Sequence, residues 1–234
     1  MSQKYSILFI ADHASNFIPE HYNHLDLSSD LINSHIAYDL GVKEMSIGLS
    51  KKFNAPLICG KYSRLLIDLN RGINDPTLIS TISHGTIINM NYKLSKNEKK
   101  FRINKIYKKY HNSITDIIKN KEINILVSLH SFNPSYKHLK RDIAFGVLSN
   151  RDRRYSNIII ELLKKGSYTV GDNEPYKGNL INDTMYKHGF KNNILHTCIE
   201  TRNDLLFNSK NIKRITKILY EVIESSKKQL NKYI

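Results

Sequence analysis

Residues Ile123 to Ser131 read INILVSLHS, an apolar run of strand length that passes straight into two reactive polar side chains, His130 and Ser131. A continuous run, rather than an alternating one, is how a strand buried on both faces reads. Upstream stands Ser95-Lys-Asn-Glu98, a capping box, and behind it Ile103, Ile106, Tyr107, Tyr110, Ile114, Ile117 and Ile118 keep a helical period. Further out, Tyr5–Ala11 (YSILFIA) stops at Asp12-His13, and Leu57–Cys59 and Leu65–Leu69 read as two more strands. Downstream, Ile143–Leu148 stops at Ser149-Asn150 and Ile194–Ile199 stops at Glu200. The intervening pattern predicts helices over Leu31–Tyr38 (capped by Ser28 or Ser29), Asp39–Phe53, Ser156–Lys164 and Ser209–Leu230. Strands that alternate with helices predict an α/β fold whose central sheet is mostly parallel or mixed and carries helices on both faces. Two stretches read as irregular: Asn70-Arg71-Gly72 through His84-Gly85 to about Leu94, and GDNEPYKGN at 171–179.

Composition sets outer bounds. At 234 residues, 40% hydrophobic and 24% charged, the chain is expected to form one globular domain over 1–234. The formal charge of +15 raises the question of nucleic acid, but the lysines are scattered among Asn and Ile instead of gathered on one face, so no nucleic-acid partner is expected. The N-terminal apolar run is too short for a signal peptide or anchor, and no window is long enough to span a bilayer. Cys59 and Cys198 lie in apolar runs without C-x-x-C spacing, as reduced buried thiols do, which suits the cytoplasm.

Three apolar strands thus end in residues with chemistry: His13 after the first, His130 after a central one, Glu200 after the last. In open α/β sheets ligands bind beyond the carboxyl ends of strands, so these positions can converge across the chain. Two histidines with acidic groups suit a hydrolytic zinc site with one position left for water. A histidine after a strand is also an ordinary hydrogen-bonded loop residue, and spacing alone does not separate the two readings.

Several longer motifs add to this. Asp12-His-Ala-Ser-Asn-Phe-Ile-Pro19, His35-Ile-Ala-Tyr-Asp-Leu-Gly-Val42, Tyr62-Ser-Arg-Leu-Leu-Ile-Asp-Leu-Asn-Arg71, Ser128-Leu-His-Ser-Phe132, Gly171-Asp-Asn-Glu-Pro-Tyr176 and Ile199-Glu-Thr-Arg-Asn-Asp-Leu205 run through nearly the whole chain in order. Together they resemble the N-formylglutamate amidohydrolase family. That resemblance implies a zinc-carboxypeptidase-like α/β fold, a Zn2+ or other divalent cofactor, and hydrolysis of a small anionic N-acyl amino acid. By likeness to zinc carboxypeptidases, His13 and His130 would be metal ligands, Asp68 the partner that orients one of them, Asn70 and Arg71 a clamp for the substrate carboxylate, and Glu200 the general base.

The sequence departs from the carboxypeptidase pattern at the third ligand, where Asn16 stands in place of Glu. His35 and Asp39, at i and i+4, would share a face if the helix is continuous there. Asp39 is then the expected ligand with His35 beside it, and a helix cap with a surface histidine is the alternative; Glu20 is a further candidate. Arg64 and Arg202, near strand ends, are expected to join Arg71 in binding an anionic substrate. Tyr176 is placed either over the substrate or against Pro175, and His84-Gly85-Thr86 stays unassigned.

Overall fold

The structure, a computed structural model, describes residues 5–230. The opening stretch is the middle of the sheet. Ten strands run β1 (Ile7–Ala11), β2 (Leu57–Cys59), β3 (Ile82–Ser83), β4 (Thr86–Ile87), β5 (Ile125–Phe132), β6 (Ser135–Tyr136), β7 (Leu139–Lys140), β8 (Phe145–Leu148), β9 (Val170–Asp172) and β10 (Leu195–Arg202). Among the described residues eight α-helices run α1 (Ser29–Ile32), α2 (Val42–Phe53), α3 (Asn89–Tyr92), α4 (Lys96–Arg102), α5 (Lys108–Asn120), α6 (Arg154–Lys165), α7 (Thr184–His188) and α8 (Ser209–Leu230). Six strands form one mixed sheet in the order β2-β1-β5-β10-β8-β9, while β3-β4 and β6-β7 are separate two-stranded hairpins. β2, β1, β5 and β10 are mutually parallel, β8 runs antiparallel to β10, and β9 is parallel to β8.

Both faces are covered, as the unbroken apolar runs demand. On one face Phe9, Val127 and Ile199 pack under Met45 and Leu49 of α2, Ile159 of α6 and Leu219 of α8. On the other, Leu8, Ile10, Leu126 and Cys198 meet Tyr107, Tyr110 and Ile114 from the α5 side. Each such side chain taken fully out of water contributes roughly 1.5–3 kcal/mol. Among the described residues no helix is long and apolar enough to cross a membrane.

Several elements differ from their sequence reading. The Leu65–Leu69 run is not a strand: it is a chain of turns, apolar because Leu65 and Leu66 fill one cluster and Ile67 and Leu69 another. The helix expected over 31–38 is the single turn α1, capped by Ser28, whose Oγ accepts the Leu31 N–H. The next helix begins at Val42, not Asp39, because Gly41 takes φ +75° and a Cβ there would stand 2.5 Å from Leu206 Cβ. The Ser95 cap holds, but Glu98 turns its carboxylate to Tyr22 and Arg102 instead of closing the box. His130 and Glu200 sit inside β5 and β10, which run further than the apolar pattern, and Gly171-Asp172 belongs to β9.

Candidate active site

β1, β5 and β10 deliver their ends to one place. Glu200 lies directly across from His130 in the β10–β5 register, and His13 follows β1 by two residues. Asp39 reaches the same point from the turn after α1, its N–H bonded to the His13 carbonyl at 2.9 Å. His13, Asp39 and His130 are all buried and each presents one donor atom, all within 4.8 Å of one another.

The hydrogen bonds behind these side chains decide which atoms face inward. His13 Nε2 is 2.7 Å from Asp68 Oδ1, leaving Nδ1 buried without a hydrogen-bond partner, 3.6 Å from Asp39 Oδ2. His130 Nε2 sits 3.0 Å from Ser128 Oγ and 3.3 Å from Asp12 Oδ2, leaving Nδ1 to meet Asp39 Oδ2 at 2.8 Å. Both imidazoles therefore have one nitrogen fixed by a carboxylate and turn the other toward Asp39, the arrangement that fixes tautomer and ring angle in metal-ligating histidines. Two imidazoles and one carboxylate, with a buried unpartnered nitrogen among them, fit a divalent cation of the zinc type and leave a coordination position open.

Charge follows the same geometry. Burial works against ionising Asp12, yet the hydrogen bond and charge of His130 hold its carboxyl down at about 2. Burial likewise opposes protonating His130, and the Asp12 and Asp39 carboxylates nevertheless lift it well above the ordinary histidine value. Glu200 feels the charge of His130 as well, but burial outweighs it. Its Oε2 is buried without a hydrogen bond, and burial pushes its carboxyl up to about 7.

A cavity of about 740 Å³ opens over this cluster and is lined by His13, Asp39, His130 and Glu200, with Arg64, Asn70, Arg71, Arg141 and Tyr176 around them. The structure brings Asp68, Asn70 and Arg71 to the site in the order their motif suggests. Arg64 lies there too, its Nη2 2.7 Å from Asp68 Oδ2 and so already paired.

Two expectations fail on geometry. His35 does not sit with Asp39 on a helix face, because residues 33–41 are turns; it lies on the cavity wall edge-to-face with His84, ring centroids 4.8 Å apart, outside the three-residue cluster. Arg202 is not a cavity residue: its Nε goes to Asp204 and its Nη1 to the backbone carbonyls of Arg141, Asp142 and Ile143.

Two residues of consequence were not singled out by sequence. Asp12 is 1% exposed and collects the Tyr110 hydroxyl at 3.0 Å and the Thr184 hydroxyl at 2.7 Å on Oδ1, and Ser128 Oγ at 3.3 Å on Oδ2. Its position beside His13 was the only signal. Arg141 stands in the cavity with its guanidinium carbon 5.4 Å from the Tyr176 ring centre; nothing in the strand pattern marks it.

A family model described as N-formylglutamate amidohydrolase matches residues 5–207. A gene product of Agrobacterium tumefaciens of known crystal structure superposes with a TM-score of 0.92 at 30% identity, over 97% of this chain and 92% of its own. The crystal structure of N-formylglutamate amidohydrolase from Ralstonia eutropha JMP134 superposes with a TM-score of 0.73 at 16% identity, over 100% of this chain and 96% of its own, a likeness of fold. No curated protein matches the chain.

Proposed function

The chain belongs to the N-formylglutamate amidohydrolase family, an enzyme family acting on amide C–N bonds, and on that premise we propose a metal-dependent deformylase-like activity on a small anionic N-acyl amino acid. The products are formate, or another short acid, and the free amino acid. The observation that carries this reading is the buried cluster of His13, Asp39 and His130, set directly beside the unpartnered carboxylate of Glu200 in an arginine-lined cavity.

His13, Asp39 and His130 would hold the cation. Zinc or another divalent ion bound there would act as a Lewis acid, polarising the amide carbonyl and acidifying water. Glu200 takes a proton from the attacking water through its free oxygen and returns it to the leaving amine nitrogen. Asp68 and Asp12 keep the two imidazoles in register, and Arg64 keeps Asp68 charged. Arg71, whose guanidinium among the described residues bonds Thr77 Oγ1 and the Asn70 carbonyl and no carboxylate, receives the substrate carboxylate with Asn70 at its side. Tyr176 lines the cavity, 42% exposed, and its ring would close against the substrate.

The cavity has room beyond a formyl group, so longer N-acyl groups belong in the test. Tag-free protein is analysed for metal, and product acid is followed with N-formyl, N-acetyl and N-succinyl amino acids. We expect about one divalent ion per chain, activity lost on chelation and restored on reloading, and fastest release from an N-formyl acidic amino acid. Protein that neither contains nor takes up a divalent ion with activity would overturn the reading.

A further inference from the structure

We infer that Arg141 is a specificity-determining residue, its guanidinium receiving a substrate carboxylate other than the one at Arg71, and that Arg202 acts by holding Arg141 in place. The inference rests on the reading of the cavity as an N-acyl amino acid site.

Three arginines line the cavity, and they are not equivalent. Arg64 is occupied by Asp68 at 2.7 Å with Asp39 at 3.8 Å. Arg71 and Arg141 find no carboxylate among the described residues. Arg141 donates through Nη1 to the Asn133 carbonyl at 3.2 Å, and its guanidinium carbon lies 5.7, 5.4 and 5.4 Å from the ring centres of Phe132, Tyr136 and Tyr176. Guanidinium is weakly hydrated and stacks on aromatic faces, so this site holds it at little desolvation cost with most of its donors unspent. The acid next to it, Asp142, is 84% exposed and pairs with Lys140 instead. A charged planar fork, walled by rings and without a carboxylate partner among the described residues, is built for a planar anion from outside, which it can bind through two parallel N–H bonds.

The backbone that carries this fork is fixed from behind. The Arg141 N–H closes on the Pro134 carbonyl at 2.8 Å, and Asn203 Nδ2 donates to Asn133 Oδ1 at 2.8 Å. Arg202 Nη1 lies 3.0, 3.3 and 3.4 Å from the carbonyls of residues 141, 142 and 143. Its Nη1 is spent on the segment that presents Arg141 and its Nε on Asp204, and it lies outside the cavity lining, so it positions and does not bind.

Two pairs of amides locate the carboxylate. N-formylglutamate against N-formylglutamine varies charge on the amine side, and N-succinylglutamine against N-butyrylglutamine varies it on the acyl side. In wild type, kcat/KM should favour the charged member of one pair. Arg141→Ala should cut that preference about 10- to 100-fold, as loss of a charge-assisted hydrogen bond does. The metal content should hardly change, the neutral member should fall less than the charged one, and Arg141→Lys should recover part of the preference. Arg202→Ala should lower the same ratio less; an unmoved ratio there would end its holding role. An equal fall for both members of each pair, or a wild type without preference, would overturn the assignment. Should wild type hydrolyse none of these amides, the proposed function falls by itself. Calorimetric titration with glutarate and butyrate then reads Arg141 directly, and glutarate binding that is absent, or survives Arg141→Ala undiminished, overturns the inference.

Discussion

On the proposed reading, Asp12→Asn should cost the site its metal affinity before it costs the fold, because one proton changes place. Asp12 Oδ1 accepts the hydroxyls of Tyr110 at 3.0 Å and Thr184 at 2.7 Å, while Oδ2 faces His130 Nε2 at 3.3 Å. Asparagine has the same shape, and its oxygen must stay with the two hydroxyl donors. Its NH2 then lands where Oδ2 was and confronts the N–H of His130 Nε2, donor against donor. The imidazole escapes by losing that proton and keeping one on Nδ1, the atom that faces Asp39, so Nδ1 has no lone pair for a cation. Loss of such an outer partner typically weakens metal affinity about 10- to 100-fold. The lost charge-assisted hydrogen bonding costs about 1.5–3 kcal/mol, and at roughly 2–4 °C per kcal/mol the midpoint should fall by about 3–12 °C. Competition with a zinc indicator measures the first effect and calorimetry the second. Thr184→Val is the control, since it removes a hydroxyl from Oδ1 and leaves the His130 proton alone; it should soften stability and spare metal binding. Wild-type metal affinity in Asp12→Asn, or equal losses in both variants, would refute the argument.

Glu200→Gln keeps the side-chain shape but removes the base; kcat should fall about 10²–10⁴-fold with metal content unchanged, and metal loss would make Glu200 a ligand instead. Gly60→Ala should be severe for an exchange of one methyl: the new Cβ would stand 1.9 Å from the Asp12 carbonyl oxygen, pushing the chain that carries Asp12 and His13. About 3 kcal/mol of destabilisation is expected by denaturant titration, and near-neutral behaviour would mean the β1–β2 edge yields freely. Acid should unfold the protein partly through His111 and His188, whose rings meet at 2.8 Å and whose pKa values burial, then Lys187, push down to about 3 and about 4. The unfolded chain protonates both near pH 6.5 and the folded one refuses, so stability is full above that pH. It falls below it by up to about 1.4 kcal/mol per pH unit for each histidine. His188→Gln should flatten the slope between pH 6.5 and 4, and an unchanged slope would place the acid sensitivity elsewhere.

The sheet was legible because burial on two faces leaves an unbroken apolar run; β1 ended where Asp12 broke it, while β5 and β10 ran two residues past His130 and Glu200. The same logic misled at Leu65–Leu69, where the apolar residues serve two clusters from irregular backbone; hydrophobicity reports burial, not conformation. The i, i+4 spacing of His35 and Asp39 presumed a helix, and Gly41 with φ +75° starts that helix too late for either. Asp39 reaches the site by a bond to the His13 carbonyl, a contact between residues 26 apart that no local pattern contains. Asp12 was hidden for the same reason: its partners Tyr110 and Thr184 lie 98 and 172 residues away. Arg71 and Arg202 both sat in recognisable motifs, and only packing separates the one in the cavity from the one that braces a loop.

The reversed direction of β8 has a consequence for how this protein can be altered. A parallel neighbour to β10 would require the chain leaving β5 to travel back beneath the sheet before re-entering it. Because β8 runs the other way, residues 133–144 leave Phe132 and return at Phe145 without quitting the rim where the chemistry is held. That excursion carries Tyr136, Arg141 and the β6-β7 hairpin, and its ends are moored to residues 202 and 203. It can therefore be lengthened, shortened or exchanged as a cassette while the strands, His13 and His130 keep their places, which makes it the segment to randomise in testing the proposed specificity.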